Sequence, residues 1–197
     1  MQQEFLVKDL GPRSYFLGIQ VTRTSAGLHL CQSKYVHDIL ARTHMTRARP
    51  AKSPCVFGSK LSRLNGEPLP DSNEYRSLVG VLQYCTLTHP DFAYSVNQLC
   101  QHLHHLTSTH RTAAKGVLRF LKQTIDHGLY NSKNTLQLNA FYDSDWAGNP
   151  NDHHSTSGYA VFLGDCLISW SAKKQLVVSR SSTEAEYRSL AIVTAKL

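Results

Sequence analysis

The sequence predicts an α+β protein in which a β-hairpin and a group of helices precede a β-β-β-α unit. Three observations carry that prediction. Apolar residues alternate with polar ones ahead of the first helix, recur every three or four positions from Tyr75 to Thr124, and return to alternation after Gly128. A chain of 197 residues accommodates one sizeable domain or two small ones, and 41% hydrophobic with 18% charged residues fits a globular protein rather than a disordered one.

Tyr15, Leu17, Ile19 and Val21 fall on alternate positions and predict one strand. Thr24, Ser25, Ala26 and Gly27 supply a turn, after which residues 28–31 return as a second strand. Ser33 is placed to cap a helix through Arg42, with Val36, Ile39 and Leu40 on its apolar side and Pro50 and Pro54 beyond it as stops. Asn65, Gly66, Pro68, Pro70 and Asp71 mark residues 58–73 as a linker. Tyr75, Leu78, Val79 and Leu82 then predict a helix that breaks at Thr88, His89 and Pro90. Val96, Leu99 and Leu103 predict another over residues 92–103, and a third covers 112–124. Leu136 and Leu138 lead into a strand ending at Asp143, and residues 158–163 and 166–170 form two more. The last helix begins at Ser182 or Thr183 and is expected to continue to the end of the sequence. The expected organisation is therefore 1–57, a linker 58–73, a helical region 74–130 and the β-β-β-α unit 131–197, the last with a small sheet and an unpaired edge.

Composition excludes several classes. No apolar run approaches the roughly 20 residues that span a bilayer, so no membrane partner is expected, and Met1 to Glu4 lacks the basic start of a secretory signal. Cys31, Cys55, Cys85, Cys100 and Cys166 are odd in number and form no C-x-x-C pair, which argues for reduced, mostly buried thiols. His102, His104, His105 and His110 lack the spacing of a zinc helix and read as surface or partly buried residues, as do His153 and His154 in a polar loop. A net charge of +7 favours anionic partners.

Four carboxylates and four cations can carry chemistry. Asp143 and Asp145 lie two apart at a strand end, where they either shape a turn or hold a hard divalent cation. Glu184 and Glu186 each complete a capping box, with Ser181 and Thr183 respectively, and Glu186 could instead join Asp143 in a metal site. Arg111, Lys115, Arg119 and Lys122 line one face of the third helix, opposite Ala114, Val117, Leu118 and Leu121. Such a row is either a solvated face or a phosphate-binding track.

The strings Lys8-Asp9-Leu10-Gly11 and Tyr15-Phe16-Leu17-Gly18-Ile19 resemble the end of a copia-type retrotransposon reverse transcriptase palm, and Gln32-Ser33-Lys34-Tyr35 the start of its following helix. Tyr75-Arg76-Ser77-Leu78-Val79-Gly80, Pro90-Asp91 and the run from Ala113 to Lys122 are similar to the helical thumb or connection region. Asp143-Ser144-Asp145-Trp146-Ala147-Gly148, Ser155-Thr156-Ser157-Gly158-Tyr159, Ser169-Trp170 and the run from Ser179 to Tyr187 resemble the opening of a ribonuclease H domain.

The resemblance implies cleavage of RNA in RNA–DNA hybrids by two Mg²⁺ ions. Asp143 and Glu186 would stand as its first-strand and first-helix carboxylates, Asp145 as a supporting metal ligand, and Glu184 as a cap. Arg111, Lys115, Arg119 and Lys122 would belong to the hybrid-binding track, and the rest of the Pol polyprotein would be a partner. The family's polymerase aspartates lie upstream of Lys8 and its next ribonuclease H carboxylate lies downstream of Leu197. Weak or absent Mg²⁺ binding and an inactive fragment are therefore expected. The alternatives are a non-catalytic nucleic-acid-binding module and a split ribonuclease H completed by another chain.

Overall fold

A computed structural model describes residues 14–56, 58, 60–133 and 135–197. The motif from Lys8 to Gly11 lies outside them. The first strand is two short ones: β1 (Tyr15–Phe16) and β2 (Ile19–Arg23) pair antiparallel across Leu17 and Gly18, both at positive φ. The alternation through Leu17 thus conceals a reversal, made possible by the glycine. β3 (Gly27–Cys31) follows as expected and pairs with β2.

Helix α1 spans Ser33–Arg42, buries Val36, Ile39 and Leu40, and has Gln32 rather than Ser33 at its N-cap. The Ser33 hydroxyl instead donates to the Ile125 carbonyl, 3.1 Å away, tying the helix start to the far end of the helical region. The helix also stops well before Pro50, because His44 turns into the left-handed region at φ 55°.

Helix α2 is Asn73–Cys85, and a 3-10 turn at Pro90–Phe92 leads into α3 (Ala93–Cys100), shorter than the periodicity suggested. Helix α4 (Ser108–Gln123) begins four residues earlier than expected. Its start is closed by the Thr107 N–H donating to Nδ1 of His110 at 3.0 Å, a histidine doing the work of the usual Glu or Gln. Helices α1 to α4 share one core in which Val36, Ile39, Leu82, Phe92, Leu99, Leu118 and Leu121 are almost wholly buried.

A strand unmarked by the sequence pattern, β4 (Gly128–Ser132), leaves α4 and pairs with β3, completing a sheet in the order β1-β2-β3-β4. The second sheet is the expected meander, β5 (Leu138–Ser144), β6 (Thr156–Leu163) and β7 (Cys166–Lys174), in that order and with β5 at an edge. Helix α5 (Ser182–Thr194) packs on β5 and β6 through Ala185, Ser189 and Val193, and ends before Leu197. The sheet faces the helices along β7, where the Trp170 indole donates to the Thr86 carbonyl at 3.2 Å. Cys31, Cys85 and Cys166 are buried, while Cys55 is exposed. No helix is long and apolar enough to cross a membrane among the described residues.

Candidate functional site

Asp143 sits next to the last residue of β5, in register with Gly158. Strand alternation puts its side chain on the face that carries Phe141, opposite Ser144. The side chain is exposed, and its carboxylate has no partner among the described residues. Asp145 lies beyond the strand and is already engaged. Its Oδ1 accepts the Thr156 N–H at 2.5 Å, while its own N–H donates to the Thr156 carbonyl at 3.2 Å. A Cβ at Gly148 would overlap this carboxylate, so the glycine admits the close approach. Asp145 therefore braces the β5–β6 loop.

At the start of α5 the two overlapping capping boxes are resolved. Ser181 is the N-cap and accepts the Glu184 N–H at 3.1 Å. Glu184 accepts the Arg180 N–H at 2.8 Å and the Arg188 guanidinium at 2.7 and 3.1 Å. The Arg180 N–H, then Arg188, hold its carboxyl below the usual range. The Thr183–Glu186 box does not form, because Thr183 is already inside the helix. Glu186 is left exposed with no partner among the described residues. Ser189, one turn on, donates its hydroxyl to the Asp143 carbonyl at 3.0 Å. The helix thus crosses the edge strand at Asp143, one turn after Glu186. No group of three or more His, Cys, Asp or Glu that could hold a metal ion occurs among the described residues.

A residue that carries no motif organises this corner. Gln175, almost wholly buried, lies beside Ser157 Oγ, the Ala185 carbonyl and Ser144 Oγ, at 2.9, 2.9 and 3.2 Å from its Nε2. Its Oε1 accepts from the Ser179 hydroxyl at 2.7 Å. It joins β5, β6 and the start of α5 through one side chain. The signal available in the sequence was only an uncharged polar residue five positions beyond the strand expected to end at Trp170, which is also what a surface loop looks like, whereas the observed strand runs on to Lys174.

The cationic face of α4 is largely tied to its own protein. Arg111 pairs with Glu74 at 3.4 Å, and Arg119 Nε donates to the Arg49 carbonyl at 2.7 Å. Lys122 Nζ donates to the carbonyls of Thr46 and Ala48 at 2.6 and 2.8 Å. Arg119 and Lys122 therefore strap residues 46–49 to the helix, while Lys115 stays exposed. Replacing Lys122 by methionine is expected to lower unfolding free energy by about 1–2 kcal/mol, since two carbonyls lose a charged donor but can partly rehydrate. Urea unfolding that matches the parent would show instead that the lysine is a bystander to the fold.

The histidines divide differently from the sequence expectation. His104 and His105 are exposed, but His102 and His110 are fully buried and stacked, with ring centroids 4.1 Å apart. They lie where the helices meet the loop joining β5 to β6. There Asn149 donates to Gln101 at 2.7 Å, and the Ser62 hydroxyl donates to Asn151 at 3.0 Å.

No protein-family model matches the chain, and no solved structure matches it. Sequence relatives are clear. The chain is 50% identical over 198 residues to a retrovirus-related Pol polyprotein from transposon RE2 of Arabidopsis thaliana, and 49% identical over 198 to that from transposon RE1 of the same plant. Both alignments cover the whole chain but only 14% of either relative's length. An uncharacterized mitochondrial protein of Arabidopsis thaliana is 48% identical over 198 residues, which take in all of this chain and 82% of that protein. With such identity along its full length, the chain belongs to the retrovirus-related Pol polyproteins of copia-type transposons.

Proposed function

We propose that this chain is the part of the polyprotein where reverse transcriptase gives way to ribonuclease H, and that Asp143 and Glu186 belong to a Mg²⁺-dependent site acting on RNA in RNA–DNA hybrids. One observation carries the proposal: the start of α5 separates its two glutamates. Glu184 is absorbed by the cap and by Arg188, whereas Glu186 is left free one turn from the bond that docks the helix on Asp143.

Both free groups are hard oxygen donors, the kind Mg²⁺ accepts while keeping several waters. Two carboxylates suit one weakly held ion, and a two-ion clamp needs more donors than the described residues bring together. When bound, Mg²⁺ would supply an acidified water and a counter-charge for the leaving oxygen. The protein's share is to fix the carboxylates, with Asp145 setting the β5–β6 loop and Gln175 the start of α5. The hairpin and helices are the palm end and the thumb or connection region, and Lys115 is the cation of α4 freest to meet a phosphate backbone. The rest of the Pol polyprotein is the partner, and this chain by itself neither polymerises DNA nor cleaves hybrids appreciably.

A labelled RNA–DNA hybrid incubated with Mg²⁺ and the 197-residue chain is expected to stay intact. A chain extended downstream with polyprotein sequence is expected to cleave it, and to lose that activity on Asp143→Asn or Glu186→Gln. Cleavage by the unextended chain that disappears in Asp143→Asn would show that two carboxylates suffice. An extended chain indifferent to both substitutions would remove both residues from the site.

A further inference from the structure

Three parts of the fold meet around His102. It follows α3, stacks on His110 in the first turn of α4, and faces Arg63 from the linker together with Lys174 and Asp152 from the β-sheet unit. Neither of its ring nitrogens has a hydrogen-bond partner among the described residues, and the residue is 2% exposed. A neutral imidazole tolerates this setting poorly, and an imidazolium tolerates it worse. The second ring offers no relief, because His110 Nδ1 already accepts the Thr107 N–H. The one facing anion is also committed, since the Asp152 carboxylate pairs with Lys174. A proton on buried His102 would therefore face two cations, the exposed Arg63 and the part-buried Lys174, and one carboxylate already paired.

The same place is the seam between the helices and the β5-β6-β7 unit. Its ties are neutral: Asn149 bonds Gln101 and Trp170 bonds Thr86, while Ser62 and the Arg63 N–H join the linker to Asn151 of the β5–β6 loop. Residues 67–69 of the linker are bonded to the corner itself, the Leu69 N–H to the Leu106 carbonyl, the Ser108 N–H to the Glu67 carbonyl and the Glu67 N–H to Ser108 Oγ. We infer that the stacked His102–His110 pair is an acid-sensitive latch, whose protonation parts the β5–β6 loop and residues 60–66 of the linker from the α3–α4 corner, while residues 67–69 stay bonded to Leu106 and Ser108 and each unit keeps its own fold.

The groups around the pair fix the sign of every perturbation. Burial, then His110, Arg63 and Lys174, lower the His102 pKa to about 4 against the pull of Asp152, and burial lowers His110 against the Ser62 carbonyl, which favours its protonated form. A folded-state pKa below the ordinary histidine value means that the closed junction binds fewer protons than the open one. Closure is therefore complete above about pH 6.5 and weakens as pH falls toward 4. Burial by itself would raise Asp152, but Lys174 and the His154 N–H hold its carboxyl below the usual range, so it stays ionised through that window.

The test uses the full chain carrying Trp146→Phe, so that Trp170 at the seam is the remaining indole. Its fluorescence is followed from pH 8 to 4, beside far-ultraviolet circular dichroism and protease cutting within residues 60–66. The expected result is a fluorescence change with new cutting in the linker, at a pH where the dichroism is unchanged. His102→Phe, which keeps the ring stack, should abolish the change. Arg63→Gln should move the midpoint down by at least half a pH unit, and Asp152→Asn should move it up by a similar amount. Loss of dichroism in step with fluorescence would overturn the latch, as would midpoints that coincide in all variants. Should His102→Phe fail to fold, the opposite shifts from Arg63 and Asp152 still decide the matter.

Discussion

Replacing Gln175 by leucine is expected to lower unfolding free energy by about 3 kcal/mol, which in a chain of this size is roughly 6–12 °C in Tm. The side chain is similar in volume, so the loss is one of hydrogen bonds rather than of packing. An amide nitrogen has two protons, so Nε2 serves two of the three acceptors around it at any moment. Leucine leaves the Ser179 hydroxyl without its acceptor and the Ala185 carbonyl without its donor, both in a place water does not reach. Each orphaned buried group costs about 1–3 kcal/mol, and the neighbouring serines can recover part by bonding to one another. Ser179→Ala removes only one arm and should cost about 1 kcal/mol. Urea titrations of the two variants give the comparison. A Gln175→Leu chain within 1 kcal/mol of the parent would mean that α5 is held by its apolar contacts alone, and that the amide only fills space.

The consequence reaches the proposed site. Gln175 holds the first turns of α5 against β6, and those turns carry Glu186 toward the Asp143 end of β5. In an extended, hybrid-cleaving chain the same substitution should therefore reduce activity without touching either carboxylate. Gln175 acts as a positioning residue.

What the sequence disclosed follows how far each signal reaches along the chain. Helix α1 with its buried Val36, Ile39 and Leu40, and the β5-β6-β7-α5 order, were legible because each is written in local periodicity. The N-cap at Ser181 was legible for the same reason, though two boxes four residues long overlapped there and only the observed helix start separates them. The features missed depend on partners distant in sequence. Ser33 looked like a cap, but its hydroxyl serves a carbonyl at Ile125. Arg119 and Lys122 read as an open basic face, but their acceptors are main-chain carbonyls some seventy residues upstream. His102 and His110 read as surface or partly buried residues, because nothing local shows that the linker and the β5–β6 loop close over them. The hairpin turn at Leu17 and Gly18 failed in another way. A reversal of two residues preserves the alternation, so a strand and a tight hairpin give the same pattern until the glycine is weighed.

Gly128→Ala is expected to be among the most damaging small substitutions, lowering unfolding free energy by about 2–4 kcal/mol. In the sequence Gly128 marks only the return to a period of two, four residues after the expected helix end at Thr124. In the structure it opens β4 opposite Cys31, and a Cβ there would overlap the Leu30 carbonyl oxygen and crowd Cys31 Cβ. The neighbour in the way is backbone, so no side chain can swing aside. The strands must spread at one end of the pair, where the Ser33 bond to Ile125 also lies. Gly27 is the counterpart at the other end, opposite Ser132, and its Cβ would overlap the Asn131 carbonyl oxygen. The double variant should fall short of the sum of the two, because the first spreading relieves part of the second. Gly80 provides the contrast. It lies exposed in α2 with no atom within 4 Å of a Cβ, so Gly80→Ala should stabilise the chain by about 0.5–1 kcal/mol through helix propensity. Hydrogen exchange should then show protection lost selectively in β3 and β4 for Gly128→Ala. Equal effects of the Gly128 and Gly80 substitutions would mean that β4 is not held at this separation in solution, and that the first sheet ends at β3.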